Sequence, residues 1–212
     1  MNSIVAEKTY IQNVLGVPYA NLSQAYLRAE TLLTNTSVVN FLLQKNSVAQ
    51  PIITEQLLNL NDEFIITHFA VGIKHIASAT PTDLEHLNAR VYTFPNFTEF
   101  AVGTNNENVA ALYNSNLSFT IDRKEYLPNF PVRSFLRVPT TQQINAPAAG
   151  EVADGYDNGL YGFYPSEPTR INGRQTLDIN IDLGSAVNFA AASNSVYAVF
   201  EVRGYLIVNA KN

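Results

Sequence analysis

Apolar residues recur at every second position over much of the chain. Ile65, Thr67, Phe69, Val71 and Ile73 trace one face of a strand. Leu117, Phe119 and Ile121 alternate with Ser118, Thr120 and Asp122, and Leu177, Ile179, Ile181 and Leu183 alternate with Asp178, Asn180 and Asp182. The run 196–208 puts Val196, Ala198, Phe200, Val202, Leu206 and Val208 on one side and Tyr197, Val199, Glu201, Arg203, Tyr205 and Ile207 on the other. A strand partly apolar on both faces is expected to be central and covered. Weaker runs lie at 38–43, 89–94, 97–102 and 132–138, and Pro95 divides the second from the third. About eight strands separated by turn-rich segments predict an all-β fold, an antiparallel sandwich or barrel.

The first 35 residues follow a different rhythm. Leu22, Ala25, Tyr26, Ala29, Leu32 and Leu33 step by three and four, behind cap candidates Asn21 and Ser23. This spacing predicts an amphipathic helix, with Leu22, Tyr26, Ala29 and Leu33 as a candidate assembly face. The residues before it, with Gly16 and Pro18, read as an arm. The organisation expected is thus an arm and helix over 1–35 and a sandwich over 36–212. A second short helix is expected near 107–113. The segment 146–173 has no period and reads as a long loop rich in glycine and proline. Loops of that length are usually functional or contact-forming. Its aromatics Tyr156, Tyr161, Phe163 and Tyr164 are candidates for a subunit or ligand contact, with packing or subunit contact preferred because aromatics dominate cores and interfaces.

Composition narrows the function. Of 212 residues only 15% are charged and the net charge is −5, so a basic nucleic-acid module is excluded and nucleic-acid contact is expected to be weak at most. Cysteine is absent, which removes disulfides, thiolate metal sites and cysteine nucleophiles. Asparagine occurs 24 times. Polarity therefore comes from neutral amides, as an AT-rich genome or a surface covered by neighbours would produce. The N-terminus lacks a basic region followed by an apolar run, and no stretch approaches the roughly 18 apolar residues of a membrane span. A protein made and kept in a cytoplasm is expected.

Candidate chemistry is sparse. His68 and His75 have opposite parity on one strand, so they point to opposite sides of the sheet. His86 stands apart in a short helical turn. No metal set follows from this spacing. There is no G-x-S-x-G elbow and no phosphate-binding loop. Asp178 and Asp182 lie roughly 13 Å apart on an extended strand, too far for a glycosidase pair. Asp154 and Asp157 sit in a segment that only partly matches a calcium loop and lacks its closing glutamate. Arg123, Lys124, Arg133 and Arg137 form the densest basic patch, suited to edge protection or to contact with an acidic neighbour subunit or an encapsidated nucleic acid. No catalytic residue and no cofactor is expected.

The order of segments resembles a viral single jelly-roll coat protein of tailless icosahedral bacteriophages. The parts that carry it are NDEFIITHFAVGI at 61–73, ALYNSNLSFTI at 111–121, FLRVPTTQ at 135–142, GRQTLDINI at 173–181 and the strand 197–208. The resemblance implies a single jelly roll and a self-assembling capsid subunit or associated virion component. Its partners would be copies of itself and other virion proteins, with assembly in a host cytoplasm. A terminal arm would tie neighbours together. The alternative reading is a carbohydrate- or receptor-binding sandwich that uses the aromatics at 156–164.

Overall fold

The computed structural model describes residues 4–48, 50–95, 106–137, 164–189 and 193–208. In chain order the elements are α1 (Ile4–Leu15), β1 (Ser23–Leu32), β2 (Asn35–Phe41), β3 (Glu63–Ile76), α2 (Asp83–Asn88), β4 (Val91–Tyr92), α3 (Asn106–Tyr113), β5 (Asn116–Ile121), β6 (Lys124–Pro131), β7 (Tyr164–Asn172), β8 (Leu177–Asn188) and β9 (Ser195–Ile207). Two antiparallel sheets form a sandwich. One runs β1-β9-β3, and β3 then pairs with β7 at one end and β4 at the other; the second runs β2-β8-β5-β6. The all-β sandwich expected from the alternation is present.

The pairings are nested. β1 pairs with β9, β2 with β8, β3 with β7 and β5 with β6, all antiparallel. Successive pairs fall in alternate sheets. Between the sheets lies one apolar core. Leu27, Ala29, Phe64, Ile66, Phe69, Val71, Ala198, Phe200 and Val202 meet Val39, Phe41, Leu117, Phe119, Ile179 and Ile181 there. Phe200 bridges the layers, with ring centroids 5.5 Å from Phe41 and 6.4 Å from Phe119.

The alternation along β3 changes phase. Its register against both β7 and β9 slips between Ile66 and His68. Phe64 and Ile66 face the core before the slip; Phe69, Val71 and Ile73 face it afterwards. Ile65 joins a second cluster on the outer side with Ile11, Val17, Leu22, Tyr205 and Ile207. The single face read from Ile65 to Ile73 is thereby corrected: an extra residue at Thr67 inverts the phase. The slip also presses backbone on backbone. A Cβ at Gly204 would stand 1.8 Å from the Ile65 carbonyl oxygen, so glycine is required there.

The helix expected over Leu22 to Leu33 is a strand. β1 pairs with β9 over ten consecutive positions, and that ladder overrides a helical spacing of apolar residues. The proposed assembly face is dispersed: Leu22 lies in the outer cluster, Ala29 and Leu33 in the core, and Tyr26 is half exposed. β1 is part of the sandwich, so 1–35 is not a separate arm. The helical element is α1, read as part of the arm. It stops at Gly16, whose φ is +67° and whose N–H donates to the Gln12 carbonyl at 2.9 Å.

Other boundaries moved. The strand expected at 132–138 is a 3-10 turn over Val132–Phe135, because Val132 and Phe135 both bury completely three residues apart. Only Val91–Tyr92 of 89–94 is strand. The end of the long loop is β7. Its Pro165 and Pro168 fit because, among the described residues, β7 pairs only with β3. The strand expected at 97–102 and the loop residues 146–163 lie outside the described residues.

Candidate functional site

The chemistry collects on the outer face of the β1-β9-β3 sheet, in two regions. Side chains of even number on β1, odd number on β9 and, past the slip, even number on β3 share this face. Register sets their rows: Tyr26, Arg203 and His68; Arg28, Glu201 and Ala70; Glu30, Val199 and Gly72; then Tyr197 beside Lys74.

The first region is sealed. The Glu30 and Lys74 side chains are both fully buried and form an ion pair. Arg28 Nη2 approaches the other Glu30 oxygen at 2.7 Å, and Thr54 Oγ1 donates to the same oxygen at 2.6 Å. Lys74 Nζ also donates to His86 Nδ1 at 3.1 Å and to Thr54 Oγ1 at 3.3 Å. A neutral His86 in that role carries its proton on Nε2. Tyr197 closes the site, 5.1 Å from the His86 ring and 5.2 Å from Lys74 Nζ. Glu55 fixes the overlying segment by accepting from the Glu30 and Ile52 N–H groups, both at 2.8 Å. α2 delivers His86 and is held by a capping box between Thr82 and Glu85.

The pKa directions agree with this packing. Burial pushes the Lys74 ammonium below its ordinary value, against the pull of Glu30. Burial would raise Glu30, but Arg28 and the hydrogen bonds from Lys74 and Thr54 outweigh it and hold the carboxyl low. Burial, then the charge on Lys74, lower His86; burial raises Glu55. A lysine and histidine so perturbed can mark a functional site; here the Lys74 side chain is fully covered. Its contacts pin α2 and the segment around Thr54 to the sheet.

The second region is open. A groove of about 1330 Å³ lies between α1, β7 and the sheet, with Tyr26, Arg28, Glu201 and Arg203 in its floor and Glu7 and Tyr10 on the helix side. Arg203 Nε and Glu201 Oε1 are 3.4 Å apart. Tyr205 donates to Glu7 Oε2 at 2.9 Å, which locks α1 in place. Lys8 adds a second tie, donating to the Leu22 carbonyl at 2.6 Å. His68 sits at the rim with its ring nitrogen 3.0 Å from Thr67 Oγ1. Burial lowers its pKa, Glu7 opposing and Arg203 assisting.

Of the candidates read from the sequence, Tyr26 lies in this groove and the others lie elsewhere. Tyr164 packs in an aromatic cluster, its ring 5.0 Å from Phe130 and 5.8 Å from Phe69. Tyr156, Tyr161 and Phe163, and the possible calcium ligands Asp154 and Asp157, lie outside the described residues. The basic patch is divided. Arg123 and Lys124 stand at the β5–β6 turn, where Asp122 and Arg123 have positive φ. Arg133 and Arg137 follow the far end of β6, roughly 23 Å away along an eight-residue strand. Among the described residues no group of three or more histidine, aspartate or glutamate side chains is placed to hold a metal ion, and no helix is long and apolar enough to cross a membrane. Sequence reasoning missed Glu30 and Lys74. The usable signal was a charge at a mid-strand position of an otherwise apolar run, which requires a partner. No family model, curated protein or solved structure compared with the chain matches it.

Proposed function

We propose that the chain is a structural subunit that assembles with copies of itself, a virion coat protein or a closely associated virion component, and not a catalyst. The observation that carries this reading is the nesting of β1 with β9, β2 with β8, β3 with β7 and β5 with β6. We read that nesting as a jelly-roll plan, which recurs in viral coat and lectin domains. The step from plan to role is an analogy of fold. Two features of the surface support it. α2 presents Leu84 and Leu87 outward, 66% and 57% exposed, and such side chains suit a subunit contact. Among the described residues, the buried Glu30–Lys74–His86 cluster is closed over by Tyr197. Partners would be identical copies and other virion proteins, with assembly in a host cytoplasm.

Native mass tests the reading. Light scattering after size exclusion, across a wide concentration range, is expected to give a large discrete assembly or ring. Leu84→Asp with Leu87→Asp is expected to reduce it to smaller species without altering β-sheet circular dichroism. A strict monomer at every concentration would overturn the proposal. A truncation meant to probe the arm has to end before β1, at about residue 22, because β1 is a full partner of β9.

A further inference from the structure

Three features of the groove beneath α1 bear on what it could hold. It is large: small-molecule pockets usually span about 300–1,000 Å³, and this one, at about 1330 Å³, has room for an extended ligand. It carries two tyrosines with free faces, Tyr10 on α1 at 53% and Tyr26 on β1 at 47% exposure. Its charges balance, with Glu7 and Glu201 against Arg28 and Arg203.

Each feature selects against some ligands. A balanced set offers no net attraction to a polyanion or a polycation. A floor of guanidinium and carboxylate groups would be stranded beneath a lipid chain or an apolar peptide face. The same groups supply donors and acceptors side by side. Tyr26 stands opposite Arg203 and Arg28 opposite Glu201 across the β1–β9 ladder, a block of about 5 Å by 7 Å set by strand spacing and by the two-residue repeat. That block matches the footprint of one sugar ring. Arg28 commits a terminal nitrogen to Glu30, and its Nε is buried with no hydrogen-bond partner, so a ligand oxygen that draws the side chain over completes its set. Tyrosine supplies an apolar face with a polar tip, suited to a ligand that is apolar on one side and hydroxylated at its edge.

We propose that this groove binds a neutral oligosaccharide, stacked on Tyr10 and Tyr26 and hydrogen-bonded through Arg28, Arg203, Glu7 and Glu201. The inference is independent of self-assembly, since a monomer could bind glycan and a shell could form without it.

The test uses the full chain on a printed array of neutral, sialylated and sulfated glycans, followed by calorimetry with the strongest neutral ligand. Binding to neutral oligosaccharides is expected. Tyr26→Ala and Tyr10→Ala are each expected to weaken it by several-fold to about tenfold, with unchanged assembly and unfolding midpoint. Both substitutions sit at exposed positions, so folding is preserved. No neutral glycan bound, binding confined to charged glycans, or binding that survives the double variant would each overturn the proposal. So would binding lost in Tyr156→Ala with Tyr161→Ala but retained in Tyr26→Ala.

Discussion

The two sheets turn very different faces outward. On the β2-β8-β5-β6 sheet the outward rows are Val38, Asp182 and Asn116; Asn40, Asn180 and Ser118; and Asp178, Thr120 and Glu125. Nothing described covers them, and their groups meet water or one another, as Asn180 meets Asp178 at 3.3 Å. On the β1-β9-β3 sheet the outward residues include full charges, and helices cover its two ends. α1 covers one end through Ile11 and Tyr205, and α2 covers the other through His86. A short neutral side chain suits a solvated strand face, where alternation alone is enough. A charge at the same kind of position demands a partner, and each partner fixes another element. The covered face therefore organises the fold's exterior, whereas the open face only keeps it wet.

The sharpest way to break this contrast is at the slip in β3. Gly204→Ala places a methyl group on the Ile65 carbonyl. Either strand must move, and a loss of about 3 kcal/mol or more is expected by denaturant unfolding. A change below 1 kcal/mol would show that the close approach is not enforced. Next in size is the buried pair. Lys74→Met alone leaves Glu30 charged and covered, and a loss of about 3–5 kcal/mol is expected. Lys74→Met with Glu30→Leu removes both charges and is expected to recover most of that loss. A double variant as weak as the single one would mean that the pair stabilises by more than mutual compensation. Third is Ile11→Ala, which empties the contact between α1 and the sheet. The expected cost is about 2–3 kcal/mol, and amide exchange should rise first in α1 and in the connector to β1.

These residues also mark where the sequence was legible. β5, β8 and β9 could be read because their alternation is unbroken, with short polar residues between the apolar ones of β5 and β8. β3 was found but misphased, because no local signal marks Thr67 as an extra residue; the slip is set by its two neighbours. β1 was misread as a helix because Leu22, Ala25, Tyr26, Ala29 and Leu33 keep helical spacing by coincidence, and the ladder with β9 is formed by residues about 170 positions later. β7 was hidden by Pro165 and Pro168, which are allowed only on an edge. The groove was illegible for a related reason: Tyr10, Tyr26, Arg28, Glu201 and Arg203 come from three distant segments, and only the nested topology unites them.

Acid should separate the two faces further. His86 and His68 both have lowered pKa values, so an unfolded chain takes up protons as pH falls below about 6.5 before the native state does, and stability declines there. Glu30, also lowered, contributes stability above the ordinary glutamate value of about 4.3 that is lost as pH falls further. Glu55 is raised and works in the opposite sense. The unfolding midpoint should therefore fall as pH is lowered from 7 to 5, and His86→Gln should flatten the upper part of that fall. A midpoint independent of pH in this range would remove the histidines from the account.

The smallest effect is expected on the open face. Asp178→Asn and Asp182→Asn each remove a charge from an exposed position, beside Thr120 on one row and beside Val38 and Asn116 on the other. Neither carboxylate is an ion-pair partner among the pairs described. Their own hydrogen bonds are to the half-buried Asn180 side chain and to the Gly184 N–H, and an asparagine oxygen can accept either. Changes within about 0.5 kcal/mol follow for each, with the pair additive because the sites are roughly 13 Å apart. A larger or non-additive loss would place a binding function or a subunit contact on this face as well, and the division of labour between the two sheets would then have to be redrawn.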